Sequence, residues 1–284
     1  MIITVQLNHP GKEKKFEIGK GYFHSDGIDY REWNNDKTHY RKFIEHTGLY
    51  VSGLKKQKPV KGRLLFWGEW EGYSIFQPLN RLNPNGVHKP LHCIKNRGHQ
   101  NTDPYIYGDN FKYAICKQRG HLTQLDEDSL ILFGSSYEKH FCLDTVFVIK
   151  SYESCNDVAK NRANNYSKIY KQATLNQLNN AYAIPVENPS LRLYKSLSYY
   201  DDSNYFSYVP CKVYNSGNAK GFERVKIPYG DLGGFELSDN PTGVKYPGTD
   251  LVITKNIWKI ITNYVLNQGF SLGIQFDEPP VKDL

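Results

Sequence analysis

The chain has 284 residues, of which 39% are hydrophobic and 14% aromatic, enough to bury a full core without disulfides or structural metal and too aromatic for a disordered tract. No window reaches the roughly eighteen uninterrupted apolar residues of a membrane span, and Met1 to Leu7 lacks the charged start and long apolar run of a secretory leader, so a cytoplasmic protein with no membrane partner is expected. The net charge is +7, and residues 1–100 hold 17 Lys+Arg against 9 Asp+Glu while the remainder is nearly balanced. A localised basic surface raises the local concentration of polyanions, so DNA or RNA is the partner class it suggests; a lysine-rich solvated face is the plain alternative. The five cysteines (Cys93, Cys116, Cys142, Cys155, Cys211) are odd in number and form no CxxC, which fits reduced thiols.

In chain order, Ile2 to Leu7 alternates apolar and polar residues and predicts a half-buried strand broken by His9-Pro10-Gly11. Residues 36–46 predict a short helix capped by Asp36 and stopped near Gly48. Arg63 to Phe66 and Tyr73 to Phe76 predict a strand pair joined through Trp67 to Gly72. Residues 80–110 have little periodicity and predict a long functional loop. Ser129 to Phe133 and Phe141 to Ile149 predict a central antiparallel hairpin, and Asn156 to Tyr182 a helix. Phe206 to Val213 and Phe222 to Ile227 predict another strand pair. Thr254 is expected to cap a helix over Lys255 to Asn267, which Gly269 closes before a last strand, Phe270 to Phe276. The expected fold is α+β, with a mixed, largely antiparallel sheet or partly open barrel and flanking helices. It is read as one domain over 1–284, with a basic, strand-rich part (1–150) and a helix-strand part (151–284).

The densest chemistry lies in Gln100-Asn101-Thr102-Asp103-Pro104-Tyr105-Ile106-Tyr107-Gly108-Asp109. Cleavage of an N-glycosidic bond needs a carboxylate to orient water or stabilise the oxocarbenium-like sugar, amides to read the base edge and aromatic walls to stack on it, and this string holds all three. Asp103 is equally well read as an Asx-turn residue before proline. Other candidate carboxylates are Asp109, Asp29 in the glycine-rich stretch 19–31, and Glu69, which with Glu71 leaves one face of an extended segment beside Trp67 and Trp70. Candidate nucleic-acid contacts are Asn101, Gln100, Tyr105, Tyr113, Gln118, Trp70, His88, Lys89 and Arg97. Asp144, inside an apolar strand, is either a buried partner of a basic residue or a group facing a cleft. His88 and His92 are four apart, but Pro90 prevents a regular helix between them and no close cysteine pair anchors a tetrahedral site, so no metal and no cofactor are assigned.

Asp103-Pro104-Tyr105 resembles the Asp-Pro-Tyr core of the water-activating motif of uracil-DNA glycosylases, and Asn188-Pro189-Ser190-Leu191 echoes that family's later His-Pro-Ser loop. Thr102 stands where that family has Gln, Asn188 stands where it has His, and the surrounding parallel-sheet pattern is missing. The chain also resembles a bacterial family associated with nucleotide-modification and anti-phage loci, which includes DNA glycosylases that excise modified cytosines from phage DNA. The residues carrying that likeness are Phe66-Trp67-Gly68-Glu69-Trp70-Glu71, Asn101-Thr102-Asp103-Pro104 to Asp109, and Leu130 to Ser135 with Leu143 to Val148. The resemblance implies a base-flipping DNA N-glycosylase acting on modified phage DNA, with Asp103 or Asp109 polarising water in a pocket lined by residues 100–118. The alternative is a non-catalytic, PUA-like reader of modified bases.

Overall fold

The computed structural model describes residues 2–12, 41–79, 84, 86–93, 102–114, 118, 120–137, 139–154, 165–175, 191–239, 244–245 and 250–282. Its strands are β1 (Thr4–Lys12), β2 (Lys42–Val51), β3 (Val60–Gly68), β4 (Ser74–Pro78), β5 (Gly86–Pro90), β6 (His92–Cys93), β7 (Lys112–Tyr113), β8 (Leu130–Tyr137) and β9 (His140–Ser154). They continue with β10 (Arg192–Ser196), β11 (Val209–Val213), β12 (Val225–Pro228), β13 (Gly230–Asp231), β14 (Glu236–Leu237), β15 (Val244–Lys245), β16 (Ser271–Phe276) and β17 (Val281–Lys282). The helices that matter here are α1 (Lys168–Tyr170), continued by a wider turn over Lys171–Leu175, and α2 (Leu251–Asn267).

The expected hairpin β8–β9 is present and central. Both strands read as continuous apolar runs because both faces are covered, and the strand period of two sorts their side chains between two cores. Ile131, Phe133, Phe147 and Ile149 enter one core, together with Ile44, Leu64 and Phe66 of the neighbouring sheet. Leu130, Leu132, Val146 and Val148 enter the other, against Ile257, Trp258, Ile261 and Val265 of α2. β1 adds to β8 in parallel, β15 flanks β1, and β10, β7 and β12 extend from β9. The second sheet runs β16-β11-β3-β2-β5-β4, and antiparallel pairing of β16 with β2 closes β2, β3, β11 and β16 into a four-stranded barrel. The class expected from sequence, α+β with a largely antiparallel sheet or barrel, is what forms.

Several local expectations are corrected. β1 runs on through His9-Pro10-Gly11, with its register shift to β8 between Asn8 and Lys12, and it is buried on both faces. Among its buried polar side chains, Gln6 exchanges hydrogen bonds with the Ser238 backbone at 2.7 and 3.0 Å. Residues 42–46 form strand, because nine consecutive pairings to β3 outweigh local helix preference. β3 and β4 do not pair: β3 lies between β2 and β11, and β4 pairs with β5. β11 and β12 likewise belong to different sheets. α2 is capped by Asp250, whose Oδ1 accepts from Ile253 N at 2.8 Å, while Thr254 turns back onto the Asp250 carbonyl at 2.9 Å. Gly269, with φ +74°, closes that helix as expected. Of the helix expected over 156–182, the described residues show a 3-10 position at 165 and helical turns at 168–175.

Candidate functional site

The two sheets meet at a buried group of charges that the strand ends place there. Arg41 precedes β2 and Glu69 follows β3, and the pairing of Lys42 with Gly68 brings both to one end of the barrel. On the other sheet, Phe133 pairs with Thr145 and Gly134 with Leu143, so Asp144 is the extra residue of a β-bulge. A bulge re-aims a side chain, which is how a carboxylate in an apolar strand reaches the seam. Arg224 precedes β12, whose Val225 pairs with Leu143, so it lies beside the bulge.

Arg41 joins the sheets. Its Nη1 donates to Glu69 Oε2, and its Nε lies 2.7 Å from Asp144 Oδ2. Arg224 takes Asp144 from the other side, Nε to Oδ1 at 3.1 Å and Nη2 to Oδ2 at 2.7 Å, and also donates to the Cys142 carbonyl at 3.0 Å. His9 Nδ1 is 3.5 Å from Glu69 Oε2. Lys42 donates to the Trp70 carbonyl; burial lowers its pKa to about 8, against the opposing pull of Glu69. All six side chains are buried. Desolvating each ion costs several kcal/mol, so the group persists only because its members are paired. Three cations face two carboxylates, and Arg41 Nη2 makes no hydrogen bond among the described residues.

The strip Glu69-Trp70-Glu71 connects this group to the Asp103 segment. Glu71 N donates to Thr102 Oγ1 at 3.0 Å, and the Trp70 ring meets Tyr107 edge-on at 5.2 Å. The structure therefore gathers Glu69, Trp70, Asp103 and Tyr105 into one neighbourhood, but as interior. Asp103 is fully buried and its Oδ1 accepts from Ala114 N, eleven residues on, at 3.0 Å. Tyr105, Ile106, Tyr107, Phe111, Tyr113 and Ala114 belong to the core, so the described part of 100–118 does not line an open pocket, contrary to expectation. Burial raises the pKa of the Tyr105 and Tyr107 hydroxyls well above the usual range.

The remaining candidates are dispersed. Asp109 is exposed; it and Glu278 flank Lys112, whose pKa burial lowers to about 8. Tyr113 stacks on Tyr194 at 5.9 Å. Gln118 exchanges hydrogen bonds with the Arg192 backbone at 2.5 and 3.0 Å. Trp70 is buried and donates to the Tyr73 carbonyl. His88 is buried, with Nδ1 at 2.7 Å from Ser74 Oγ and its ring against Phe76. Lys89 is partly exposed, 3.9 Å from Glu45. Asp29, Arg97, Gln100 and Asn101 lie outside the described residues. Sequence reasoning missed Arg41, Lys42, Arg224 and His9; the one available signal was Asp144, a charge in a strand otherwise apolar.

These features define an α+β protein in which a four-stranded barrel and a mixed sheet share a buried ionic seam. The chain matches no known protein family, curated protein or solved structure. Among the described residues no helix is long and apolar enough to cross a membrane.

Proposed function

We propose that the chain binds nucleic acid and reads a modified base without cleaving it. The observation that carries this reading is the state of the charges. Asp103, Glu69 and Asp144 are each engaged, by Ala114 N, Arg41 and Arg224. Carboxylates held by guanidinium groups are poor bases, so these acids are poorly suited to activating water for base excision. The basic N-terminal third supports a polyanionic ligand, and the modified base rests on the resemblance in sequence. Buried thiols at Cys93, Cys142 and Cys211 suit a reducing cytoplasm.

Base excision is the second reading, favoured by one feature: Glu69 lies between Arg41 and His9 and beside Lys42. There a carboxylate could stabilise an oxocarbenium-like sugar while the cations stabilise a departing anionic base. Incubation with plain, hydroxymethylated and glucosylated duplex DNA, scored both for affinity and for abasic sites, separates the two. Tighter binding to a modified duplex with no abasic product is the expected result. Abasic product transfers the conclusion to excision, and equal affinity for all three duplexes without product removes both.

A further inference from the structure

We infer that the loop joining β2 to β3, with the turn 198–202 against it, forms a landing surface for single-stranded nucleic acid. The inference deepens the nucleic-acid reading and rests on it. Lys55, Lys56 and Lys58 project from this loop; all are exposed and none makes an ion pair among the described residues. Three uncompensated ammonium groups within four positions repel one another, so their placement favours a polyanion.

The loop is nevertheless held in place. The Tyr199 hydroxyl accepts from Gln57 N and donates to Gln57 O, both at 2.8 Å, and Leu54 packs on the core that contains Tyr199. The neighbouring Tyr200 is 65% exposed, although its ring meets Tyr199 edge-on at 6.1 Å. An aromatic face left in water beside lysines is what base stacking requires, since every base offers a π-face while its phosphate meets the cations. The carboxylates on the same turn are matched. Asp201 holds Ser198 Oγ at 2.7 Å and pairs with Lys150 at 2.6 Å, which draws its pKa below the usual carboxylate value despite some burial, and Asp202 lies 3.7 Å from Lys255. Lys61 and Arg63 further along β3 face Asp277 and Glu45, so the unmatched lysines of this stretch are those at 55–58.

The test uses the full chain, fluorescein-labelled oligo(dT) and heparin, with affinity measured across salt concentrations. Wild type should bind oligo(dT) with a strong salt dependence. The variant K55E/K56E/K58E should lose binding and flatten the log–log salt slope by about 2, from roughly 0.7 per phosphate contact. Tyr200→Ala should weaken oligo(dT) about fivefold to a hundredfold while leaving heparin unchanged. Circular dichroism confirms folding, and Lys259→Glu on α2 serves as a charge control. Unchanged oligo(dT) binding in the triple variant overturns the surface, as does a loss equalled by the control. If Tyr200→Ala leaves oligo(dT) untouched, the patch is a non-specific polyanion-binding surface and the single-strand assignment falls. Because oligo(dT) carries no modified base, failure of base reading leaves these outcomes standing, and discrimination among modified duplexes that survives in the triple variant separates the converse case.

Discussion

Arg41 Nε and Asp144 Oδ2 stand 2.7 Å apart, with each residue only 1% exposed, and this ion pair ties the end of the barrel to the bulge of the central hairpin. Asp144 answers two guanidinium groups and Glu69 one, so their removal should not cost the same. Asp144→Asn leaves Arg41 and Arg224 short of a counter-charge and should lower stability by about 3–5 kcal/mol. Glu69→Gln leaves Arg41 still facing Asp144 and should cost less, about 1–3 kcal/mol. Urea unfolding of both variants checks the order. A reversed order, or an Asp144→Asn loss under about 1 kcal/mol, would show that the seam is not held through Asp144.

The buried amines give the protein an alkaline stability optimum. Lys42 has a folded pKa of about 8 against an ordinary value of 10.5, with burial as the first cause. Below pH 8 both folded and unfolded states carry the proton and the desolvation penalty is fully present. Between pH 8 and 10.5 the unfolded chain binds more protons, so stability rises, on the order of 3 kcal/mol from Lys42. Lys112 acts in the same direction through the same cause, and counts for less because its side chain is partly exposed. Above pH 10 the sign reverses: Tyr105, Tyr107 and Tyr208 have raised folded pKa values, so the unfolded state loses protons first. Urea midpoints from pH 7 to 11 should rise and then fall, and Lys42→Met should flatten the rising limb. A midpoint that declines steadily from pH 7 contradicts this.

Asp103 should behave as a structural acceptor. Asp103→Asn retains an oxygen for Ala114 N and should cost little, whereas Asp103→Ala leaves that buried donor unmet and should cost about 1–3 kcal/mol. Neither should change nucleic-acid affinity by more than the folded fraction accounts for. Thermal unfolding together with affinity measured well below the melting temperature checks both points, and an affinity loss in the fully folded Asp103→Asn protein would return Asp103 to the site.

The hairpin β8–β9, the closing turn of α2 and the α+β class were legible because each rests on local pattern: an apolar run, a glycine after a helix, strands mixed with helices. The barrel was not. Residues 42–46 carry the composition of a short helix, and only their partners Gly68 to Leu64, distant in sequence, make them strand. The same distance hid the ionic seam, whose members come from three separate strand ends, the interior of β1 and a bulge. Asp103 was ambiguous for a different reason: a carboxylate before proline serves turns and active sites alike, and its burial and its bond to Ala114 N were not legible in the string. The tyrosines beside it proved to be core residues whose rings pack on other rings, a packing that composition alone does not separate from a stacking wall.

Barrel closure depends on Gly48. This residue lies in the middle of β2, where β16 crosses it, and a Cβ there would come 2.5 Å from the Gln275 carbonyl oxygen and 3.0 Å from the Phe276 ring. The carbonyl belongs to backbone and the ring to a fully buried side chain, so neither can yield without moving β16. The register of β16 on β2 already shifts between Gly273 and Gln275, which makes this the irregular edge of the closure. Gly48→Ala should therefore separate β16 from β2 while β2 keeps its nine pairings with β3, at a cost of about 2–4 kcal/mol. Hydrogen exchange resolved by residue reads this directly: amides of 271–276 should lose protection and those of the β2–β3 ladder should keep it. Equal loss in both would mean that the barrel opens as one unit and that Gly48 does not act at the seam alone.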